Sequence, residues 1–311
     1  MDKRKFIIDC DTGTDDAIAI LAAFGCEDID LLGITSVNGN VIEEYTSKNN
    51  LDLCEYVGYK IPVTRGATYP LNHGFRNSSD MTHGTMGLGS VSLPAAKNSE
   101  FDPRVASKFL YDKAIECKGE LELLVIGPMT NIALAIIEYP EFEKLIKHIY
   151  FMGGSVYGGN VTTVAEFNIW ADPEAAHTVF VSGIDMTMVG LDVTLKAVMN
   201  EDDIARLRQR NSKASNFAAD LLDFMVTRRD QGHEDLVMHD ALALAAAVYP
   251  ECMKYEEYYV DVETTGTYTR GHTHADVRNK DGKKANMKVA MEVDVDSFRK
   301  WLVDTINKYD C

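Results

Sequence analysis

The 311-residue chain contains no Cys-x-x-Cys pair, although it has six cysteines. They are scattered along the chain, at Cys10, Cys26, Cys54, Cys117, Cys252 and Cys311. Zinc sites and the disulfide frameworks of small secreted domains need cysteines at paired spacings. The cysteine pattern therefore argues against both kinds of site, and we expect the chain in a reducing cytoplasm.

Long apolar runs are also absent. No stretch approaches the roughly 18 consecutive apolar residues that a membrane-spanning helix needs. The opening stretch, MDKRKFIIDCD, becomes charged again too soon for a signal peptide. We expect no contact with a membrane and no cleaved leader.

Positive charge is scarce. The chain has 31 Lys and Arg against 48 Asp and Glu, which gives a formal net charge of -17, and it has no dense run of basic residues. Nucleic-acid-binding proteins need a basic surface that neutralises phosphates. The charge balance argues against nucleic acid as a partner.

Short β-branched runs alternate with longer helical patterns, as in KFIIDC then DDAIAILAAFG, IDLLGITSV then EEYTSKNNLDLCEYVG, and LELLVIG then TNIALAIIEYP. This alternation is typical of βαβ units. With 46% hydrophobic residues, the chain can bury one large core. The sequence predicts an α/β fold in a single domain over residues 1–311, with an open, mostly parallel central sheet flanked by helices and a Rossmann-like core. Ligands of such sheets bind beyond the carboxyl ends of the strands.

Residues 72–100 interrupt the pattern, because they are rich in Gly, Ser and Asn and have little periodicity. Loops of that length usually serve as lids or binding loops, or are disordered. We expect residues 72–90, which include His83, to close over a bound ligand.

The stretch DCDTGTDDAIAI places four aspartates within eight positions. Asp9 and Asp11 end a predicted buried strand, and Asp15 and Asp16 begin the helix that Thr14 is expected to cap. Acidic residues in a first helical turn complement the helix dipole and need no further role. Like charges at the end of a buried strand are costly unless a cation or hydrogen-bond donors offset them. Oxygen ligands without nearby thiolates favour Ca²⁺ or Mg²⁺.

A phosphatase of the haloacid dehalogenase type is one alternative for the same residues. It would use Asp9 as the nucleophile and Asp11 as the acid/base, with Mg²⁺. That family expects Thr or Val at the position of Gly13, and this sequence has no Gly-rich phosphate cradle. A non-catalytic protein that binds nucleosides or ribose is a second alternative, but sugar binding alone does not need a base such as Asp11.

The motif DCDTGTDDAIAILAA resembles the N-terminal motif of the inosine-uridine-type nucleoside hydrolases. The likeness continues in the family's order through ITSVNGN, IGPMTNIALA, FMGGSVYGGNVTTVAEFNIWADPEAAH, MVGLDVT, MHDALALA and VDVETTGTYTRG, over residues 7 to about 271. The resemblance implies the nucleoside hydrolase fold and hydrolysis of the N-glycosidic bond of purine or pyrimidine ribonucleosides, which gives ribose and a free base. It also implies a homo-oligomer, either a dimer or a tetramer, with a role in nucleoside salvage.

The resemblance also implies one Ca²⁺ per subunit, which binds the attacking water. Its ligands would be Asp11, Asp16, the backbone carbonyl of Thr130, and Asp240, with Asp9 bracing the cluster. Asp11 would in addition be the general base that takes the proton of the water.

Seven positions match the substrate-binding residues of the family, and most offer carboxylate or amide groups suited to the ribose hydroxyls. They are Asp15, Asn40, Met152, Asn160, Glu166, Phe167 and Asn168.

Two histidines match residues at the nucleobase. His239, directly before Asp240, marks the branch of the family that includes pyrimidine-specific ribonucleoside hydrolases, and a histidine can protonate the leaving nitrogen. His83 matches a second active-site histidine. Where relatives commonly have tyrosines before the His-Asp pair, this chain has Phe224 and Arg228, so its base preference stays open.

Overall fold

The computed structural model describes residues 3–72 and 80–309. Within them it contains ten strands: β1 (Arg4–Cys10), β2 (Ile29–Ser36), β3 (Val63–Thr64), β4 (Leu121–Val125), β5 (Ile146–Met152), β6 (Met186–Val189), β7 (Met253–Tyr258), β8 (Val260–Val262), β9 (Thr273–Ala275) and β10 (Met287–Val293).

The α-helices of the same residues are α1 (Thr14–Gly25), α2 (Glu43–Val57), α3 (Asp80–His83), α4 (Ala106–Cys117), α5 (Thr130–Glu138), α6 (Phe142–Leu145), α7 (Phe167–Ala171), α8 (Pro173–Phe180), α9 (Leu191–Thr194), α10 (Glu201–Arg210), α11 (Lys213–Asp230), α12 (His239–Val248) and α13 (Val295–Lys308). A 3₁₀ turn follows α12 at Pro250–Cys252. In this part of the chain, no helix is both long and apolar enough to cross a membrane.

Eight strands form the central sheet in the order β3-β2-β1-β4-β5-β6-β10-β7. Every neighbouring pair is parallel except β10 and β7, which run antiparallel. The predicted open, mostly parallel sheet is confirmed. From β1 the chain adds β2 and β3 on one side of the sheet, and it then returns to add β4 on the other side of β1. The order of the strands therefore reverses between β1 and β4. In open α/β sheets a crevice forms at this reversal, beyond the carboxyl ends of the two strands.

Helices cover both faces of the sheet because the central strands are apolar on both sides. In β1, Ile8 packs into a cluster with α1, α11, α12 and α13, and Ile7 packs into a second cluster with α4, α5 and α8. All residues of α1 are buried, and α1 contacts α12 and α13. A Cβ atom on Gly25 would lie 2.0 Å from the carbonyl oxygen of Thr305 in α13. The two helices therefore approach each other so closely that only glycine fits at position 25.

Helix α1 begins one residue earlier than expected. Gly13 is its N-cap residue, and the Asp16 carboxylate accepts a hydrogen bond from the Gly13 N–H (2.9 Å). The prediction that Thr14 caps this helix is therefore wrong. The Thr14 hydroxyl instead contacts Nδ1 of His83 (3.1 Å).

The irregular segment after residue 72 is only partly described, because residues 73–79 lie outside the described ranges. Residues 84–89 pack against the rest of the chain. The Asn49 side-chain amide donates to the carbonyl oxygens of Thr12 (3.2 Å) and Met86 (2.7 Å), and Gly89 lies against the Phe224 ring. The closure of residues 72–90 over a ligand stays a prediction.

Candidate active site

A cluster of buried aspartates lies at the carboxyl edge of the sheet. Asp9 lies near the end of strand β1, and Asp11 directly follows the strand. Asp15 and Asp16 lie in the first turn of α1, and Asp240 lies in the first turn of α12. Asp9, Asp11 and Asp16 have no exposed surface, and Asp240 is 3% exposed. Asp15, Asp16 and Asp240 each offer a carboxylate oxygen within 4.8 Å of those of the other two.

Asp9 connects three elements of the sheet region. Its Oδ2 accepts hydrogen bonds from the Thr35 hydroxyl (2.5 Å) in β2 and from the Asn131 amide (2.8 Å) in α5. The same amide of Asn131 also donates to the carbonyl oxygen of Ser36. Asp9 thus holds the ends of β1 and β2 against α5.

Asp11 is enclosed by two loops that have glycine at the closest approach. Its Oδ2 accepts a hydrogen bond from the Asn40 backbone N–H (2.6 Å). A Cβ atom on Gly39 would lie 2.0 Å from Oδ2, and a Cβ atom on Gly127 would lie 2.7 Å from Oδ1. Larger residues at these positions would displace the carboxylate.

Asn40 joins the two central carboxylates. Its backbone N–H binds Asp11, and its side-chain amide donates to Oδ2 of Asp16 (3.0 Å). Oδ1 of Asp11 and Oδ1 of Asp16 are buried without a hydrogen-bond partner among the described residues. One oxygen of each carboxylate is therefore fixed, and the other is available to a ligand.

Burial raises the pKa of four of these carboxyl groups. The pKa values of Asp9 and Asp16 rise to about 7, and those of Asp11 and Asp240 rise well above the usual range. The neighbouring negative charges, such as that of Asp15 on Asp16 and Asp240, raise them further. Such a cluster needs protons or a cation for stability. The unpartnered oxygens of Asp11 and Asp16 are hard donors of the kind that Ca²⁺ and Mg²⁺ prefer, so a divalent cation fits these residues.

Thr130 opens helix α5 beside the cluster. Its hydroxyl donates to Oδ2 of Asp172 (2.7 Å), and Asp172 also accepts from the backbone N–H groups of Leu71 (2.9 Å) and Ala175 (3.0 Å). Asp172 thus fixes the turn that contains Thr130. The role of the Thr130 carbonyl as a metal ligand stays a prediction.

A cavity of about 210 Å³ opens above the cluster. It brings together all seven predicted substrate-binding residues, both predicted histidines and one predicted metal ligand: Asp15, Asn40, Met152, Asn160, Glu166, Phe167, Asn168, His83, His239 and Asp240. Asp11 and Asp16 are fully buried and are not among the residues that line the cavity.

Asn168 presents an acceptor to the cavity. Its side-chain N–H groups donate to the carbonyl oxygens of Ile126 (3.0 Å) and Met152 (3.2 Å). Because both N–H bonds are used, the amide Oδ1 is the atom left for a ligand hydroxyl.

Glu166 has a larger structural role than its sequence context indicates. It is the N-cap of α7 and accepts hydrogen bonds from the backbone N–H groups of Asn168 (2.8 Å), Ile169 (3.1 Å) and Gly154 (2.8 Å). Asn160 supports the same turn by accepting from the Phe167 N–H (3.0 Å). These contacts hold the loop after β5 against α7 and shape the cavity wall.

His83 is held as a neutral ring. The backbone N–H of Thr14 donates to its Nδ1 (3.2 Å), which places the ring proton on Nε2. Burial lowers the pKa of His83, which also favours the neutral ring. His83 therefore offers an Nε2–H donor to the cavity.

His239, unlike His83, favours the protonated form of its ring. Its Nδ1 lies 2.8 Å from the Thr194 hydroxyl, and its Nε2 lies 3.7 Å from a carboxylate oxygen of Glu234. Burial opposes the charged form, but contact with Glu234 and the negative charge of Asp15 raise the pKa of His239. Contact with His239 in turn lowers the pKa of Glu234. The pair favours an imidazolium beside a carboxylate.

Sequence reasoning missed several lining residues at this end of the cavity. They are Thr82, Val161, Met225, Glu234 and Asp235, and the cavity also includes Arg228, which was noted only as a departure from the family pattern. Glu234 precedes His239 by five residues in a loop, and no motif or periodicity marks it.

The comparison with protein families decides which fold family this site belongs to. The family profile described as inosine-uridine preferring nucleoside hydrolase matches residues 6–300. The chain belongs to this family. It is accordingly a ribonucleoside hydrolase, an enzyme that cleaves the N-glycosidic bond of ribonucleosides. The family assignment replaces the phosphatase hypothesis.

Individual relatives agree with the family over nearly the whole chain. Pyrimidine-specific ribonucleoside hydrolase RihB of Escherichia coli (strain SE11) is 38% identical over 96% of this chain and 95% of its own length. Uridine nucleosidase 1 of Arabidopsis thaliana is 39% identical over 88% of this chain and 82% of its own length. The solved structure of a purine-preferring ribonucleoside hydrolase from Gardnerella vaginalis superposes with a TM-score of 0.92 at 34% identity, over 98% of both chains.

The aspartate cluster generates a prediction about stability. In the absence of a cation, Asp240→Asn removes one of several repelling buried carboxyl groups, so the metal-free variant should unfold at a higher temperature than the metal-free parent chain. Added Ca²⁺ should raise the unfolding temperature of the parent and do so much less in the variant. Thermal unfolding in chelator and in Ca²⁺ measures both effects, with exposed Asp28→Asn as the matched control.

The same cluster gives a pH dependence with a defined sign. A carboxyl group whose pKa is raised by folding favours the folded state below its unfolded pKa and loses that contribution as pH rises through the folded value. Folding raises the pKa of Asp16 from 3.8 to about 7. Asp16 should therefore make the metal-free parent chain less stable at pH 8 than at pH 5. The decline should be smaller in Asp240→Asn. A metal-free parent chain that becomes more stable between pH 5 and pH 8 would contradict the raised pKa values assigned to the cluster.

Proposed function

We propose that this hydrolase attacks the anomeric carbon of ribonucleosides with a water activated at the aspartate cluster, with Ca²⁺ as its metal. The observation that supports this most directly is the pair of unpartnered, buried oxygens, Oδ1 of Asp11 and Oδ1 of Asp16, beneath the cavity. They belong to the same aspartate cluster as Asp240, which lines that cavity together with amide groups suited to hydroxyls.

The metal ligands in this proposal are the carboxylates of Asp11, Asp16 and Asp240 and the backbone carbonyl of Thr130. A site built mostly from protein oxygens suits Ca²⁺ better than Mg²⁺, since Mg²⁺ retains several waters. When bound, the dication lowers the pKa of a coordinated water.

Asp11 is the general base. The Asn40 N–H holds Oδ2 of Asp11, so its orientation is fixed before substrate arrives. The Asp11 carboxylate then accepts the proton of the attacking water. Glycines at positions 39 and 127 let the two loops close around this carboxylate and limit its movement.

The ribose is held by its hydroxyl groups. Asp15 lines the cavity as an acceptor, and Oδ1 of Asn168 is a second acceptor in the lining. Asn40, Asn160 and the remaining lone pair of Glu166 extend this polar lining, and Met152 and Phe167 pack against the sugar. These groups place the anomeric carbon above the cluster.

The leaving base departs toward the two histidines. His239, whose protonated form is favoured by Glu234, is the proton donor to the leaving nitrogen. His83 donates from Nε2 to the base and orients it. This assignment gives the two rings different protonation states within one cavity.

We also propose a cytoplasmic enzyme that acts as a homo-oligomer, a dimer or a tetramer, in nucleoside salvage. The five described cysteines are free, which suits a reducing compartment. Exposed apolar side chains such as Tyr157 and Tyr268 are available for contact between copies.

The catalytic assignment predicts the behaviour of Asp11→Asn. The amide cannot accept the proton of water, so ribose release from uridine or inosine in Ca²⁺ should fall by about 10² or more. A reducing-sugar assay measures the rate, and Asp28→Asn should be unchanged. Near-normal turnover in Asp11→Asn would remove this residue from the catalytic role.

The sugar assignment predicts discrimination against deoxyribonucleosides. Without the 2′-hydroxyl, buried acceptors such as Oδ1 of Asn168 lose a donor, so kcat/KM for deoxyuridine should be about 10²-fold or more below that for uridine. Asn168→Ala should reduce this ratio. Comparable kcat/KM values for uridine and deoxyuridine in the parent enzyme would show that the ribose is misplaced.

The leaving-group assignment predicts a substrate-dependent effect of His239→Ala. Uridine needs a proton on its departing base, whereas a nitrophenyl riboside has a leaving group that departs without one. His239→Ala should therefore slow uridine hydrolysis far more than hydrolysis of the activated riboside. Equal losses on both substrates would assign His239 a structural role.

A further inference from the structure

Helix α11 ends with two consecutive arginines that have different surroundings. Arg229 lies at the surface, where its guanidinium binds Glu201 (2.8 Å) and Asp230 (3.1 Å). Arg228 lines the active-site cavity, and its Nε is buried without a hydrogen-bond partner among the described residues. A buried donor left without an acceptor costs about 1–3 kcal/mol, which a ligand can recover by supplying one.

Arg228 lines the same cavity as His83, His239 and Glu234. Burial lowers the pKa of Arg228, and the negative charge of Glu234, which lies 3.7 Å from Nε2 of His239, opposes this lowering. In the proposed function the base departs toward these two histidines, so Arg228 shares the part of the cavity that would receive the base.

Glu234 does not remove the need for an acceptor at Arg228. Its carboxylate faces Nε2 of His239 at 3.7 Å, and that contact is the first cause of its lowered pKa. The Nε–H of Arg228 stays unpaired in the presence of this carboxylate.

Arginine offers only hydrogen-bond donors, so it distinguishes between nucleobases by their distal edge. Uracil carries an oxygen at C4, and hypoxanthine and guanine carry one at C6. Cytosine and adenine carry an amino group at these positions, which would place a donor against a donor.

We propose that Arg228 donates a hydrogen bond to the exocyclic oxygen at C4 of a pyrimidine or C6 of a purine. The enzyme then prefers uridine and 6-oxopurine ribonucleosides to cytidine and adenosine. This inference rests on the proposed function, because it assumes that the base occupies this end of the cavity.

The test is kcat/KM for four substrates, uridine, cytidine, inosine and adenosine, with the parent enzyme, Arg228→Met and Arg229→Met. Methionine retains an apolar side chain of similar length and removes the donors. Kinetics are compared in Ca²⁺, and thermal unfolding verifies that each variant is folded.

The parent enzyme should prefer uridine to cytidine and inosine to adenosine. Because a well-formed contact of this kind contributes about 1–3 kcal/mol of discrimination, Arg228→Met should lower kcat/KM for uridine and inosine about 10- to 100-fold. The values for cytidine and adenosine should change little, so both preferences collapse. Arg229→Met should leave all four values unchanged.

Equal losses on all four substrates would show that Arg228 acts through its charge or through folding, and would overturn the inference. Unchanged preferences in Arg228→Met, or a parent enzyme without the two preferences, would overturn it as well. Failure of the proposed function has a different signature, since the parent enzyme would then release ribose from none of the four nucleosides.

Discussion

The structure depends on the burial of several carboxyl groups at one point of the sheet edge. Asp9, Asp11, Asp16 and Asp240 are all removed from water, and burial raises the pKa of each. Asp9, Asp11 and Asp16 each have one buried carboxylate oxygen without a hydrogen-bond partner among the described residues. An arrangement of this kind is unfavourable for folding by itself, and it becomes favourable when a cation binds.

The surrounding fold serves to hold these groups in place. The apolar helices α1 and α12 pack against each other and bring Asp16 and Asp240 together from positions more than two hundred residues apart in the chain. Asn40 fixes one oxygen on each of Asp11 and Asp16, and a glycine before it allows the close approach. The cavity is lined by Asp15 and Asp240 of this cluster, so in the proposed mechanism the binding of sugar and the activation of water depend on the same scaffold.

Local sequence signals were sufficient for the parallel strands β1, β2 and β4, because these strands are short, mostly apolar and followed by helical patterns. The polar edge strand β7 and its antiparallel pairing with β10 have no such signal. The family motifs likewise located the residues that surround the cavity. The prediction that Thr14 caps α1 was wrong because Gly13 is the N-cap residue, and its N–H donates to the Asp16 carboxylate. Glu234 and the orientation of Arg228 could not be predicted, since both depend on how the loop after α11 returns to His239. That is a tertiary contact without a periodic pattern.

The central claim is that the buried carboxyl groups are a cation site that holds protons when no metal is bound. Calorimetric titration of Ca²⁺ into metal-free protein near pH 6.5, repeated in buffers of different ionisation enthalpy, tests it directly. We predict one Ca²⁺ per chain and a net release of protons, because binding lowers the raised pKa values of the cluster. Absence of binding, or binding without proton release, would contradict the account.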